Sequence, residues 1–214
     1  MHWIEVEGTP LPKRYGGHPA LDFCNTWAGW NTPRRNLGGQ PDLTREWLPT
    51  YDRLALWSGY VQLLTPETTR RIRRHAHHDR DQADKILHRA HRLRDHLYRL
   101  LLNPDDRHAF DTFATVAQSA LQATRLEIDP DGAPRRVLPD TVGLALPLFA
   151  VARSAESLLT SADAHHRVRA CPGDECGWLF LDLRGRRRWC DMATCGNRAK
   201  VRAHAARSKP AATP

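Results

Sequence analysis

Four of the five cysteines in this 214-residue chain fall within 25 residues of one another near the C-terminal end. They follow the pattern Cys-x4-Cys-x13-Cys-x4-Cys, at Cys171, Cys176, Cys190 and Cys195. Two close pairs separated by a stretch long enough for a hairpin are typical of a tetrahedral metal site, and four thiolates fill the coordination shell of zinc. Because no position is left for water or a substrate, the sequence predicts a structural zinc ion that organises the C-terminal module.

Two other interpretations use the same cysteines. A disulfide framework would require an oxidising compartment, yet residues 1–7, MHWIEVE, do not begin like a secretion signal. Mononuclear iron or an iron–sulfur cluster also takes four thiolates, but the spacing matches neither ferredoxin-type pattern. Both remain open, and both fit less well than zinc. Cys24 lies apart in an apolar-rich segment, which favours a small buried side chain over a nucleophile.

The residues around the four cysteines resemble a known zinc finger. Cys171-Pro-Gly-Asp-Glu-Cys176 is followed by Arg186-Arg-Arg-Trp-Cys190 and then by Cys195-Gly-Asn-Arg-Ala-Lys. This pattern is similar to that of the CGNR zinc finger, which is named for the tetrad that here begins at Cys195. The resemblance implies a zinc-binding module at the C-terminal end.

The preceding part of the chain is similar, more diffusely, to the ABATE domain, which usually precedes this finger. The matching segments are residues 21–26 (LDFCNT), 93–98 (LRDHLY) and 152–159 (ARSAESLL). Together the two resemblances imply a bacterial protein from a family described as stress-induced transcription regulators. The expected partner is DNA, and the N-terminal domain is expected to sense a small-molecule effector or to form a homodimer. An enzyme is not expected.

Length and composition predict two domains. A helical domain is expected over residues 1–163 and a zinc finger over residues 164–210, in a chain that is 41% hydrophobic. The finger is too small to fold without metal, whereas a fragment ending at Asp163 is expected to fold alone. Chelation is expected to unfold the finger and to leave most of the helical signal. The longest apolar stretch, residues 142–152, is too short to cross a bilayer, so a cytoplasmic protein is expected.

Hydrophobic periodicity predicts a mainly α fold with small β-hairpins. Thr65-Pro66-Glu67 offers a cap residue, a proline at the first helical position and an acidic first turn, which predicts a helix start. Further helices are expected over residues 18–27, 51–61, 81–102, 105–124 and 147–159, and a hairpin over residues 126–138. The finger is expected to contain a hairpin over residues 168–183 and a helix over residues 195–207, which packs through Ala199, Ala203 and Ala206.

The net charge of +8 is concentrated in the finger. Residues 1–166 hold 21 Lys and Arg against 20 Asp and Glu, whereas residues 167–214 hold 11 against 4. A compact basic module predicts contact with nucleic-acid phosphates, although the same charges could simply keep a small module soluble. An RNA or an acidic protein is the alternative partner. The residues expected to bind nucleic acid are Arg186, Arg187, Arg188, Asn197, Arg198, Lys200, Arg202 and Arg207.

The N-terminal domain offers only weaker functional signals. Asp22, Asn25 and Trp27 are candidates for an effector pocket, and an active site around Asp22, Asn25 and Thr26 is a less favoured alternative. His88 and His91, with Asp84 and Asp95, could share one face of a helix and bind a second metal ion. Pairing between these side chains is the favoured interpretation, because the neighbouring arginines would repel a cation.

Overall fold

A computed structural model describes residues 2–32, 43–161 and 163–207. We call residues 2–161 the helical part and residues 163–207 the four-cysteine module. The described residues of the helical part form six α-helices: α1, Pro19–Cys24; α2, Tyr51–Tyr60; α3, Pro66–His78; α4, Arg80–Leu102; α5, Arg107–Ala123; and α6, Leu146–Leu159. The predicted mainly α fold is confirmed.

Most of the helices begin where a side chain accepts a hydrogen bond from one of their first N–H groups, although α6 has no such cap. Thr65 accepts a hydrogen bond from the N–H of Thr68, and Pro66 follows it at the first helical position, as predicted. Asp79 and Asp106 cap α4 and α5 in the same way. α1 ends at Cys24, earlier than the predicted Trp27.

The centre of the helical part is α6, which packs against α1, α2, α4 and α5. Its buried residues include Leu148, Val151, Ala152 and Ala155. By length and composition alone, Asp140–Leu159 is the one described segment that could cross a membrane. The helical path breaks at Gly143, where φ is 62°, and half of the segment is buried inside the protein. These features are those of a core helix of the bundle.

The described residues form three separate antiparallel hairpins. The first pairs β1, Trp3–Val6, with β2, Thr9–Pro12. The second pairs β3, Arg125–Ile128, with β4, Pro134–Val137, and confirms the hairpin predicted over residues 126–138. The third, in the four-cysteine module, pairs β5, Val168–Ala170, with β6, Leu179–Leu181.

The hairpin β5–β6 shares a hydrophobic core with the helical part. Val168 and Leu179 belong to the same buried cluster as the residues of α1, α4 and α6, and Leu179 is fully buried. A second cluster contains the four cysteines, Trp178 and Phe180, with Tyr15 and Trp30 of the helical part packed against it. The four-cysteine module is therefore seated on the helical part.

A buried ion pair fixes the chain ahead of α2. Arg94 on α4 is 2% exposed and donates to both carboxylate oxygens of Glu46 and to the hydroxyl of Thr26. Burial acts to raise the pKa of Glu46, but the hydrogen bonds from Arg94 outweigh it and hold that pKa below its ordinary value. An unpaired charge at this depth would be strongly destabilising, so the two residues depend on each other.

Candidate metal centre and nucleic-acid interface

The third hairpin and the last helix bring the four cysteines together. Cys171 directly follows β5, and Cys176 lies in the turn that leads to β6. Cys190 ends the returning segment, and Cys195 lies in the single helical turn Met192–Gly196 that continues into α7, Asn197–Arg207. The four sulfur atoms lie within 4.8 Å of one another. The spacing in the sequence thus produces one cluster.

The geometry of this cluster fits a tetrahedral metal ion. The sulfur of Cys190 lies 3.6 Å from the sulfurs of both Cys176 and Cys195. Metal–sulfur bonds of about 2.3 Å at tetrahedral angles place the sulfurs about 3.8 Å apart. All four side chains are buried, with Cys190 fully so. Four buried thiolates leave no open coordination position, so the arrangement suits a structural ion and not a catalytic one.

Electrostatics also favour a cation at the centre. Hydrogen bonds from the neighbouring thiols lower the pKa of Cys171, whereas hydrogen bonds to neighbouring sulfurs raise the pKa of Cys190. Thiols this close compete for protons, and all four ionise together only around a positive ion. The backbone N–H groups of Cys190 and Trp178 also face the sulfurs of Cys171 and Cys176, respectively.

Two glycines allow the backbone to come close to its neighbours around the cluster. A Cβ atom on Gly173 would lie 3.1 Å from the sulfur of Cys195 and 3.5 Å from that of Cys171. Gly177 has φ +68°, and a Cβ there would lie 2.8 Å from the Cβ of Trp30. A side chain at either position would displace the cluster or the helical part packed on it.

Asn25 joins the helical part to the four-cysteine module. Its side-chain oxygen accepts from the N–H of Leu179 at 2.7 Å, and its side-chain nitrogen donates to the carbonyl of Leu179 at 2.8 Å. Asn25 is fully buried, so water cannot replace these two bonds. The indole N–H of Trp178 donates to the carbonyl of Trp27 at 2.9 Å. The structure thus places Asn25 and Trp27, both candidates for an effector pocket, at the joint between the two parts.

An aromatic pair covers the turn before β6. The rings of Trp30 and Tyr98 stack with centroids 3.8 Å apart and an angle of 7° between them. The hydroxyl of Tyr98 donates to the carbonyl of Gly177, and the backbone N–H of Trp30 donates to the carbonyl of Cys176. With the two bonds of Asn25 to Leu179 and the bond of Asn31 to the carbonyl of Gly173, the helical part holds five backbone groups near the cluster, over sequence separations that no local pattern reveals.

Asp22, the third pocket candidate, is buried beside a small cavity. The cavity, of about 380 Å³, is lined by Arg14, Gly17, His18 and Pro19 as well as Asp22. One carboxylate oxygen accepts from the N–H of Gly16 at 2.7 Å. Burial raises the pKa of Asp22 to about 6, although this hydrogen bond and Arg14 act in the opposite direction.

We expect Asp22 to lower the stability of the fold as the pH rises. The folded pKa of about 6 lies above the ordinary value of 3.8, so the unfolded chain releases this proton first. The destabilisation is absent below roughly pH 4 and complete above roughly pH 6. Asp22→Asn should therefore raise the free energy of unfolding at pH 7.5 by up to about 3 kcal/mol, and much less at pH 4. Urea unfolding at the two pH values checks this, and an equal gain at both would contradict it.

Arg187 supports the fold of the module. Its guanidinium lies over the ring of Phe180, 4.6 Å from the centroid. It donates to the carbonyl of Tyr15 at 2.6 Å, to that of Trp189 at 3.2 Å and to that of Cys190. A side chain with these contacts is not available to a phosphate. Sequence reasoning did not separate Arg187 from Arg186 and Arg188, which are exposed.

The helix α7 leaves the body of the protein directly after the fourth cysteine. None of its residues is buried, and Ala203 and Ala206 are exposed. The prediction of a packed alanine face is wrong for these two residues, whereas Ala199 is half-buried. The side that faces the loop of the first cysteine pair instead carries Asn197, Arg198, Val201 and Arg202, and Arg202 forms an ion pair with Asp174.

The structure shows no second metal cluster among the residues that it describes. His91 contacts the carbonyl of Leu48 at 2.9 Å, and His88 contacts the carbonyl of Asp84 at 2.8 Å. Burial lowers the pKa of His91. These contacts differ from the favoured interpretation, pairing with the carboxylates of Asp84 and Asp95: both go to backbone carbonyls, and His91 also lies 3.6 Å from the carboxylate of Glu46.

Comparison with known families is consistent with both parts of the fold. A model of the ABATE family, described as "Putative stress-induced transcription regulator", matches residues 17–162, which is more than half of the chain. The chain belongs to the ABATE family. A model of the CGNR zinc finger matches residues 167–208. Both resemblances found in the sequence are confirmed, in the expected order along the chain. A comparison with curated proteins found no match.

Proposed function

We propose that this ABATE protein is a bacterial cytoplasmic transcription regulator that binds DNA through its CGNR zinc finger. The single observation that carries the proposal is α7, an unburied helix that begins directly after the fourth cysteine. Over Asn197–Arg207 it carries four Lys and Arg and no acidic residue. A helix that projects from a fixed base, with cations and exposed polar side chains, can enter a groove and contact phosphates.

Zinc is the metal that the four cysteines would hold. Four buried thiolates with tetrahedral spacing match the ligand set and geometry of structural zinc sites. The ion would join the two ends of the module, since it connects the end of β5 to the start of α7. The role of the ion would be structural, as this cross-link, and not catalytic. The direction in which α7 projects from the helical part would then depend on the metal.

The cations on and beside α7 differ in their exposure and in their contacts within the protein. Lys200 and Arg207 lie on the side that faces away from the loop of the first cysteine pair, and both are exposed. Arg186 and Arg188 are exposed on the segment that leads to Cys190. These four residues are the strongest candidates for phosphate contacts, and Arg198 adds a fifth. Arg202 would first have to leave Asp174, and Arg187 is excluded by its internal contacts.

The helical part would provide the regulatory input, either by sensing an effector or by forming a homodimer. The support for this role is that its side chains hold the backbone of the finger at Leu179 and Gly177, and its backbone holds that at Cys176. A shift of α1 or α4 would therefore be transmitted to the metal-binding turns. An RNA or an acidic protein remains the alternative partner. A competition experiment distinguishes these partners from DNA.

The salt dependence of binding tests the phosphate contacts. A finger that engages about four phosphates should show a slope near −3.6 in a plot of log affinity against log salt concentration. Lys200→Ala should flatten this slope by about 0.9 and weaken binding to all sequences alike, because a phosphate contact reads no sequence. Lys85→Ala, which removes an exposed lysine from α4, is the matched control and should leave the slope unchanged. Equal slopes for the two variants would contradict the assignment.

Asn197 is expected to affect sequence preference instead. Its exposed amide at the start of α7 can pair with an adenine edge. Asn197→Ala should weaken binding to the preferred site by about 1–3 kcal/mol and leave binding to random duplex nearly unchanged. The preferred site is first selected from genomic fragments, and both duplexes are then titrated at one salt concentration. An equal loss on the two duplexes would show that Asn197 reads no base.

A further inference from the structure

A cavity of about 420 Å³ lies where the helical part meets the first strand of the finger. We call it the junction cavity. Its apolar walls come from the end of α4, the start of α5 and the end of α6, and include Leu100, Leu102, Phe110 and Leu159. Leu102 and Phe110 are each 44% exposed. Two large apolar side chains left accessible in one concave site, at a volume within the range of ligand pockets, indicate a binding site for an apolar group.

The opposite rim of the junction cavity is polar and basic. It is formed by His165, His166 and Arg169, and no Asp or Glu is among the described residues that line the cavity. One terminal nitrogen of Arg169 donates to the carbonyls of His166 and Val168, at 2.9 Å each. These bonds hold one terminal nitrogen at the rim. The charge of Arg169 also acts on the carboxylate of Asp182, but Asp182 does not line the cavity, and the other N–H groups of Arg169 can bind a ligand. The charge of the rim is complementary to an anion.

The position of the junction cavity connects the two parts of the protein. Arg169 lies on β5, which packs against α4 and is followed directly by Cys171. A molecule in the cavity would touch α4, α5 and α6 on one side and the strand that carries the first metal ligand on the other. Its binding would therefore favour one arrangement of the finger relative to the bundle.

We propose that the junction cavity binds a small amphiphilic anion, with one carboxylate at Arg169 and an unbranched apolar chain between Leu102, Phe110 and Leu159. The binding follows from the shape and charge of the cavity alone. The regulatory consequence, a change in DNA affinity, rests on the proposed function. The occupant is distinct from the effector expected near Asp22, which lies beside a different cavity.

Calorimetric titration of the zinc-loaded, full-length protein with decanoate, in the absence of DNA, tests the binding. We expect one decanoate per chain. Octanoate, which is shorter by two methylene groups, should bind about 15-fold more weakly, since each buried methylene contributes about fourfold. 1-Decanol has the same chain and no charge, and it should bind about tenfold more weakly because the charged hydrogen bonds to Arg169 are lost.

Two pairs of variants locate the site. Arg169→Gln should weaken decanoate about tenfold and leave 1-decanol unchanged, whereas Arg125→Gln, at an exposed position on β3, should affect neither. Leu102→Gln should weaken both ligands, whereas Leu126→Gln, which is 72% exposed and outside the cavity, should not. Urea unfolding of each variant confirms that it remains folded.

Several results would overturn the proposal. One is decanoate binding that neither Arg169→Gln nor Leu102→Gln weakens, and another is binding that does not depend on chain length. A third is a protein that binds no decanoate but whose mass in solution increases with protein concentration, if Leu102→Gln abolishes that increase. The cavity would then be an interface between two copies. Failure of the protein to bind DNA would leave the titration unaffected and would count against the proposed function only.

Discussion

Replacing Cys190 by serine is expected to remove the metal and to lower the free energy of unfolding by more than about 4 kcal/mol. Cys190 is fully buried, and its sulfur lies at 3.6 Å from two of the other three. Loss of this ligand opens the coordination shell and releases the segment between the two cysteine pairs. Because Val168 and Leu179 belong to the core of the bundle, the helical part should lose stability as well.

Cys24→Ser is the matched control for this experiment. Cys24 is also fully buried, but it lies outside the cluster, and burial raises the pKa of its thiol. The control should retain about one zinc per chain and lose stability only through the buried hydroxyl. Metal analysis and urea unfolding followed by circular dichroism compare the two variants. A Cys190→Ser protein that keeps its metal, or whose helical signal unfolds at the same urea concentration as before, would contradict the account.

Replacing Asn25 by alanine should destabilise the protein by about 3 kcal/mol, since it leaves two backbone groups of Leu179 buried without partners. Both hydrogen bonds are short, at 2.7 and 2.8 Å, and they join residues 154 positions apart. The variant should also release zinc to a chelator faster, because the two side-chain hydrogen bonds that join the end of α1 to β6 are lost. Urea unfolding and the rate of zinc transfer to a coloured chelator measure the two effects.

Asn31→Ala provides the comparison. Asn31 also donates to a backbone carbonyl of the module, that of Gly173 at 2.8 Å, but its side chain is exposed. Water can replace this bond, so the loss should stay below about 1 kcal/mol. If the two variants lost the same stability, the buried amide of Asn25 would not be the main attachment between the two parts.

The local features of this fold could be predicted from the sequence. Cysteine spacing identified the metal cluster, because each pair needs only one turn to bring its sulfurs together. Cap residues located helix starts, as at Thr65 and Pro66, because the capping interaction spans three residues. The hairpin β1–β2 was missed although a signal was present. Its turn consists of Glu7 and Gly8, both with positive φ, between two short apolar-rich strands.

The long-range features could not be predicted in this way. Asn25 was considered for a ligand pocket, and it holds a strand 154 residues away. Arg187 has the same side chain as its two neighbours, and only the packed fold shows that it points inward to Phe180 and Tyr15. The alanines of α7 suggested a packed face, yet Ala203 and Ala206 are exposed and no residue of the helix is buried. For Asn25 and Arg187 the deciding contact comes from a distant segment.

The shared core changes what is expected of a truncated chain. A fragment ending at Asp163 would lose the partners of the buried amide of Asn25 and would expose the surface that Val168 and Leu179 cover. We now expect this fragment to be less stable than the full chain and prone to aggregate, whereas the sequence alone suggested an independent unit. The ABATE match ends at residue 162 and the zinc-finger match begins at residue 167. These limits describe related sequences and need not coincide with parts that fold independently.

Competition for the zinc-loaded protein tests the central claim most directly. A labelled genomic duplex is bound and then challenged with unlabelled duplex, with RNA of the same length and with polyglutamate, all at equal total charge. We expect duplex DNA to be the most effective competitor and chelation of zinc to abolish binding to it. More effective displacement by RNA or by polyglutamate, or binding that survives the loss of zinc, would contradict the claim.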